Sequence, residues 1–473
     1  MSLSTHVSGI QHGKHTFLGW NTLKSRYMRT GPQISAAAVT KWTCWQRQRQ
    51  LERMAVWIVA SLAAPGAKQV REARYEHRLR FSTEAVPLWK LTMLLVRLYH
   101  SSWHAGSRES TYLRELFYRL VPVFDSQQEL TQYLDRLLAA ARISRFSLGI
   151  IAESRGWVFF GSGIQLQKRS IENERPRYVQ SEAANARLCT PHRGLMPIPD
   201  DIVLDPGAYQ LVVEPRQDLV VVILIVEKFG VFRCLVDEGF ASILPVLTIL
   251  VTGGGQPSLA TRALVAQIAR CLEAHHAAFR STNAPHTYPR FDIYVITDYD
   301  PYGLCIARQY RRSLAAALPQ FTADSKFTRL PRWIGPRACH LFRARSSRAN
   351  CELLRAKSEA DQSPLMRGPM PSQRALVLAR NIFAEAVLQG DSLVAEELHH
   401  MIGSQLYTDP SMLKLARNLP WIDGCPGAAG DGIGTHDLHT LVLLLGPGGF
   451  ARDFLPRLIL ETRQEELRKS LGL

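Results

Sequence analysis

The sequence predicts an α/β protein: a helical N-terminal region with a hairpin, then a domain whose mainly parallel sheet is flanked by helices. Two apolar runs, at residues 219–226 and 291–297, predict the sheet. Unbroken β-branched runs of this length suit strands that are buried on both faces of a parallel sheet. Residues 248–252 predict a third strand between them. Leucines at three- and four-residue spacing from residue 84 onward predict the helices.

Both apolar runs end directly on acidic residues. Glu227 follows the first run, and Asp298 and Asp300 follow the second. Open α/β sheets bind ligands outside the carboxyl ends of their strands, and a few carboxylates there suit Mg²⁺, which also keeps water and phosphate ligands. A helix that begins after the glycines at 253–255, with Arg262 one turn in, adds an anion site. The sequence therefore predicts a site for magnesium and a phosphodiester.

A second candidate site lies on the helix predicted from residue 110 to residue 121. Arg114 and Tyr118 are one turn apart on its polar flank. A tyrosine oxygen can attack a DNA phosphorus and store the energy of the broken strand in a phosphotyrosyl bond, while an adjacent arginine neutralises charge on the phosphoryl oxygens. The spacing alone equally fits an ordinary surface pair, in which the arginine stacks on the tyrosine.

The residues after this helix predict a winged helix. A capping box at 126–129 opens one helix, Ser144 caps a second helix, and strands at 157–160 and 164–166 form a hairpin around Gly161-Ser162-Gly163. The second helix would enter the major groove of DNA and place Arg145 on phosphates, with Arg142 as a second candidate. A winged helix that binds protein is the alternative.

The composition favours a polyanionic partner. The chain of 473 residues carries 57 Lys and Arg against 41 Asp and Glu, a net charge of +16. Its 8 cysteines form no CxxC pair, so neither a zinc finger nor a disulfide framework is predicted. No apolar run reaches the roughly 20 residues that span a bilayer, so no membrane partner is expected. Without a GxxxxGK[ST] loop, any ATP hydrolysis must come from another chain.

Three blocks of sequence, in order, resemble the catalytic subunit of topoisomerase VI, a type IIB topoisomerase, and its eukaryotic relative, the meiotic double-strand-break transesterase. These blocks are Val226-Glu227-Lys228-x-x-Val231-Phe232, Val251-Thr252-Gly253-x-Gly255-x-Pro257-x-x-x-Thr261-Arg262 and Asp298-x-Asp300-Pro301-x-Gly303. The acid after one strand and the Asp-x-Asp after a later one look like the Toprim pattern. The segment Arg114-Glu115-Leu116-Phe117-Tyr118 is similar to the family block that ends in the nucleophilic tyrosine; Tyr112 lies six residues too early.

The resemblance implies a mechanism and partners. It implies that Tyr118 becomes linked to the 5′ end of DNA with the help of Arg114, and that Glu227, Asp298 and Asp300 hold Mg²⁺. In this family each site combines the tyrosine of one protomer with the magnesium of the other, which implies a homodimer. It also implies a partner like the ATP-binding subunit of topoisomerase VI, a role in starting meiotic recombination, and a nuclear location.

The sequence predicts six segments. They are a basic N-terminal extension (1–83), a winged-helix domain (84–167), a linker (168–193), a Toprim domain (194–342), a flexible insertion (343–374) and a divergent helical C-terminal part (375–473). The first 51 residues contain no Asp or Glu, which fits a DNA-contacting arm, an organelle transit segment or an incorrectly assigned start. Where the family typically carries Lys-Ala-Glu, this chain offers only Glu397-Leu398 and Met401.

Two rival functions stay open at this stage. One is a catalytically inactive DNA-binding scaffold of the same fold, which the unmatched C-terminal part favours. The other is a Toprim nuclease that uses water as its nucleophile. Covalent attachment of the protein to DNA separates all three functions.

Overall fold

The computed structural model describes residues 49, 51–55, 85–104, 111–141, 145–168, 190–192, 194–214, 220–280, 290–319, 330–341, 369, 371–409, 411–412 and 436–471. Almost all of the predicted N-terminal extension and most of the predicted insertion lie outside these ranges, as does Arg142. Within the described ranges, no helix combines the length and the apolarity that crossing a membrane requires.

The helices and strands alternate along the chain, as expected for an α/β protein. The strands are β1 Thr111–Tyr112, β2 Ile150–Ile151, β3 Trp157–Phe160, β4 Ile164–Lys168, β5 Thr190–His192, β6 Gly194–Pro197, β7 Tyr209–Val213, β8 Val220–Val226, β9 Leu247–Thr252, β10 Arg290–Ile296 and β11 Arg332–Gly335. The helices are α1 Ala85–His104, α2 Leu113–Tyr118, α3 Gln127–Ala141, α4 Phe229–Asp237, α5 Phe240–Ile243, α6 Leu259–Arg280, α7 Pro301–Ala317, α8 Gln373–Gln389, α9 Ser392–Ile402, α10 Leu438–Leu445, α11 Pro447–Gly449 and α12 Leu455–Leu471. A π-helical turn, Phe450–Phe454, joins α11 to α12, and short 3-10 turns lie at Phe146–Leu148, Asp200–Val203, Pro206–Ala208 and Ser404–Thr408.

The main sheet has six strands in the order β11-β10-β8-β9-β3-β6. Strands β8 to β11 run parallel, whereas β3 is antiparallel to both of its neighbours. The two apolar runs form the adjacent strands β8 and β10, and every residue of β9 is buried. These strands are therefore buried on both faces, as the unbroken β-branched runs predict.

Two hydrophobic cores divide the described residues. The smaller core joins α1, α2 and α3, and Leu91, Leu116 and Leu130 are fully buried in it. The larger core surrounds the six-stranded sheet and extends to α8, α9 and the C-terminal helices. The helical character predicted for residues 375–402 is confirmed by α8 and α9, and Ser372 caps α8 through its side chain.

The predicted helix after Ser144 is wrong. The chain makes a single 3-10 turn, Phe146–Leu148, which ends where Gly149 adopts a positive φ of 71°. The backbone then enters β2, which pairs in parallel with β1, so Ile151 lies in a strand rather than on a helix. A left-handed glycine ends a helical turn without strain, and this explains the early stop.

The predicted hairpin is also wrong, although both of its strands exist. Strand β3 pairs with β9 and β6 in the main sheet, whereas β4 pairs with β5 and β7 in a separate three-stranded sheet. Burial decides this arrangement, because Val158 and Phe160 pack into the larger core. The predicted helix-turn-helix with a hairpin is therefore not what the chain forms here, and the end of the predicted linker belongs to β5.

Candidate functional site

The register of the main sheet brings the strand ends together at one edge. Val226 of β8 pairs with Ile296 of β10 on one side and with Thr252 of β9 on the other. Glu227 is thus the first residue beyond the sheet, and its N–H donates to the Ile296 carbonyl at 3.0 Å. The Gly255 N–H and the Thr252 hydroxyl both donate to the Glu227 carbonyl, at 2.9 and 3.2 Å. The glycine loop therefore lies against Glu227.

The three predicted acids lie in one cluster at this edge. The Asp298 N–H donates to Glu227 Oε2 at 2.8 Å. Asp300 caps α7, and its Oδ1 accepts a hydrogen bond from the Gly303 N–H at 2.6 Å. These two bonds fix the Asp-x-Asp turn against both Glu227 and the start of the following helix.

Two further charged residues, to which the sequence analysis gave no role, complete the cluster. The Lys228 ammonium lies 3.2 Å from Asp298 Oδ2 and also contacts Asp437 Oδ2. The neighbouring Leu438 N–H donates to Asp298 Oδ1 at 2.9 Å. Lys228 had a sequence signal, because it directly follows Glu227. Asp437 had none, because it reaches the site only through the folding of a distant segment.

Burial and mutual repulsion shift the acids of the cluster in one direction. Burial raises the pKa of Glu227 to about 7, and the charges of Asp298 and Asp300 add to this effect. Burial also raises the pKa of Asp298 and of Asp300, although each accepts backbone hydrogen bonds that oppose the shift. Burial alone would lower the pKa of Lys228, but its contacts with Asp437 and Asp298 raise it. The cluster therefore holds more negative charge than one lysine neutralises.

This raised pKa predicts a stability that depends on pH. The pKa of Glu227 is about 7 in the folded chain against 4.5 ordinarily, so the folded state binds more protons between these values. Without metal, its contribution to the free energy of unfolding is present below about pH 4.5 and is lost as the pH rises through 7. Urea denaturation in EDTA should show wild type losing stability relative to Glu227→Gln across this window. A difference that does not vary with pH would contradict the shift.

The donor chemistry of the cluster fits Mg²⁺, although a complete ligand set is not preformed. Carboxylate oxygens are the ligands this ion prefers, and excess negative charge in a half-buried site favours a divalent cation. Among the described residues, no three His, Cys, Asp or Glu side chains are placed to hold a metal ion together. This arrangement suits an ion that takes one or two carboxylates and fills its other positions with water and phosphate oxygens.

Tyr118 ends helix α2, and its side chain is 63% exposed. Its ring packs at 5.9 Å from that of Phe117, and its hydroxyl has no hydrogen-bond partner among the described residues. Arg114, one turn earlier, forms an exposed ion pair with Glu153 at 3.6 Å. Within the described ranges, Tyr118 makes no hydrogen bond or ion pair with the acidic cluster. The phenol is therefore free to meet a ligand from solvent.

The two arginines predicted to bind DNA both have partners within the chain. Arg145 pairs with Asp135, with its Nε 2.9 Å from the carboxylate. Arg262 is half-buried on α6, and its Nη1 donates to Ser313 of α7 at 3.0 Å. Burial lowers the pKa of Arg262. Arg262 thus ties α6 to α7 behind the glycine loop.

Gly303 allows the Asp-x-Asp turn to close. A Cβ at this position would lie 2.3 Å from the Asp298 carbonyl oxygen and 2.8 Å from Thr297 Oγ1. Gly303→Ala should therefore lower the free energy of unfolding by about 1–3 kcal/mol, the usual cost of overpacking. Thermal denaturation would measure the change. Gly230→Ala is the matched control, because its Cβ would meet nothing within 4 Å and alanine favours helix. Equal melting of the two variants would contradict the prediction.

Comparison with known proteins assigns the fold of this site and then its family. A sheet whose parallel strands end on one acid and on an Asp-x-Asp turn defines a Toprim-type α/β domain. Residues 222–366 match the TOP6A/Spo11 Toprim domain, which is the Toprim domain of the topoisomerase 6 catalytic chain and of Spo11. The resemblance found in the sequence is thus confirmed, and this part of the chain carries the Toprim domain of that family.

The similar curated proteins are named for meiotic recombination. The chain is 30% identical to the meiosis-specific protein SPO11 of Saccharomyces cerevisiae over 209 residues, which is 43% of this chain and 45% of that protein. It is 24% identical to meiotic recombination protein SPO11-2 of Oryza sativa subsp. japonica over 48% of each chain. It is 23% identical to meiotic recombination protein SPO11 of Mus musculus, over 52% of this chain and 50% of that protein. The chain spans about half the length of the curated relatives it matches.

Proposed function

We propose that this protein is a DNA-cleaving transesterase of the same type as the catalytic chain of topoisomerase VI, and that it makes the double-strand breaks that start meiotic recombination. The observation that carries this proposal is that one chain offers both an exposed tyrosine, Tyr118, and a Toprim acidic cluster at the carboxyl edge of its sheet. The names of the similar proteins support the meiotic role and a nuclear location.

The proposed reaction exchanges one ester for another. The Tyr118 oxygen attacks a phosphorus of the DNA backbone and forms a bond to the 5′ phosphate. The bond from phosphorus to the 3′ oxygen breaks, and that oxygen leaves with a proton, so no water is consumed. Arg114 neutralises charge on the phosphoryl oxygens once DNA competes with Glu153 for its guanidinium. Because the phosphotyrosyl bond keeps the energy of the broken strand, the reaction is reversible.

The acidic cluster supplies the second half of the proposed site. Glu227, Asp298 and Asp300 would hold Mg²⁺, which supplies charge stabilisation to the phosphate and the leaving 3′ oxygen. Lys228 adds a fixed positive charge beside Asp298 at the same edge. The N–H groups at the start of α6 and the glycine loop at 253–255 favour an anionic backbone there. The chain thus provides positive groups next to the metal ligands.

The separation of the two halves supports a dimer in which each site is shared. Tyr118 lies on a helix of the smaller core, whereas the acids lie at the edge of the sheet in the larger core. Two tyrosines must act for both DNA strands to break, which requires two chains. We propose that the tyrosine of one chain works with the acids of its partner, and that a protein like the ATP-binding chain of topoisomerase VI completes the complex.

The test is a search for protein attached to DNA. The purified chain, its ATP-binding partner protein, Mg²⁺ and duplex DNA should yield protein covalently linked to 5′ ends, with free 3′ hydroxyls. Cleaved DNA without attached protein would favour the nuclease that uses water. Tight, salt-sensitive DNA binding by the assembled complex without any cleavage would favour the inactive scaffold. Either result would refute the transesterase.

A further inference from the structure

A buried carboxylate on α9 contacts the turn that carries two of the acids. Tyr299 lies between Asp298 and Asp300, and its ring is fully buried. Its hydroxyl donates to Glu397 Oε2 at 3.0 Å, and the Ala338 N–H donates to the same oxygen at 2.9 Å. Glu397 is itself only 6% exposed. A single oxygen of one carboxylate therefore links the Asp-x-Asp turn to α9 and to the segment after β11.

The backbone of Tyr299 is held from a second direction. Its N–H donates to the His436 carbonyl at 2.8 Å, and the His436 N–H donates back to the Tyr299 carbonyl at 3.0 Å. The side chain and the main chain of this one residue are thus fixed by two different C-terminal segments. Flanking residues of an extended strand or bridge point to the opposite face. Fixing Tyr299 inward consequently directs Asp298 and Asp300 towards the rim.

We propose that Glu397 is a positioning residue for the metal site, and that it acts through the Tyr299 hydroxyl on the two carboxylates. This inference rests on the proposed function, since it assigns a task to the same cluster. Partners that fix a metal ligand are usually worth a large factor in metal affinity even when they never touch the ion. A buried hydroxyl that loses its acceptor also costs free energy, so the turn would rearrange rather than leave it unpaired.

The geometry separates positioning from simple packing. Both donors use Oε2, so Glu397→Gln can present its single carbonyl oxygen there and keep both hydrogen bonds. Glu397→Met fills a similar volume but accepts neither bond. Tyr299→Phe removes only the hydroxyl and keeps the buried ring. Positioning predicts that Gln preserves metal affinity and that Met and Phe lower it.

The experiment measures Mn²⁺ binding to the full-length protein by electron paramagnetic resonance of the free ion, so it needs neither DNA nor a partner. Asp298→Asn defines which binding belongs to the cluster. Tyr299→Phe and Glu397→Met should raise the dissociation constant roughly tenfold, while Glu397→Gln stays near wild type. Thermal melting in EDTA, recorded in parallel, shows whether each variant is folded.

Two outcomes would overturn the inference, and they are distinguishable. If Asp298→Asn loses Mn²⁺ while Tyr299→Phe binds it as wild type does, the positioning role is refuted and the metal site stands. If wild type shows no binding that depends on Asp298, both the positioning role and the proposed metal site are refuted. A variant that melts early yet binds Mn²⁺ normally assigns Glu397 to packing alone.

Discussion

Tyr118→Phe is expected to abolish covalent attachment of the protein to DNA, a loss of at least roughly a thousandfold, because no other group can form the phosphotyrosyl bond. The fold should be unaffected, since the side chain is 63% exposed. DNA binding should also persist. The measurement is a denaturing gel of DNA labelled at its 3′ end, on which a strand with protein at its 5′ end migrates slowly.

Tyr112→Phe is the matched control for this experiment. Tyr112 lies six residues earlier, and its hydroxyl donates to Asp200 Oδ2 at 2.8 Å. Its hydrogen bond to Asp200, together with burial, raises its pKa to about 12, which disfavours it as a nucleophile. This variant should still become attached to DNA. Attachment that survives Tyr118→Phe but disappears in Tyr112→Phe would move the nucleophile to Tyr112.

Asp298→Asn is expected to reduce DNA cleavage by at least about a hundredfold at ordinary Mg²⁺ concentrations. Asparagine can still accept the Leu438 N–H, so the turn keeps its link to the C-terminal segment. The substitution removes the negative charge that faces Lys228 and would face the metal. Cleavage and DNA binding should be measured together, and binding should change little. Asp237→Asn, in an exposed pair with Arg233 on α4, is the control that should cleave normally.

Mixing the two inactive variants tests whether the sites are shared. In a dimer of one Tyr118→Phe chain and one Asp298→Asn chain, a shared arrangement leaves one complete site. It combines the tyrosine of the second chain with the acids of the first. Mixing should then restore attachment to one strand, seen as nicked DNA. If each chain used its own tyrosine and its own acids, the mixed dimer would contain no complete site and would not react.

Local sequence was sufficient for the strands and for the acids that follow them. The β-branched runs form β8 and β10 because no other environment buries such a segment on both faces, and Glu227, Asp298 and Asp300 follow from where those runs end. Their meeting at one edge follows from parallel pairing. The tyrosine helix was also predictable, because its apolar stripe specifies which face is buried.

The partners of β3 and β4 were not predictable in the same way. The glycine turn between them permits a hairpin, and the local pattern is compatible with one. Strand β3 instead gains a place beside β9, where Val158 and Phe160 enter the larger core. Sheet pairing of this kind depends on which distant edge offers the greater burial, and local propensity does not encode that choice.

The sequence by itself determined the class of fold, the Toprim family of residues 222–366 and the three acids at the sheet edge. Only the tertiary structure placed the C-terminal part at that edge, where Leu438 binds Asp298 across 140 residues and Glu397 binds Tyr299 across 98. The physical reason is the range of the interactions. Periodicity and capping are properties of neighbouring residues, whereas these contacts form only after the whole core has packed.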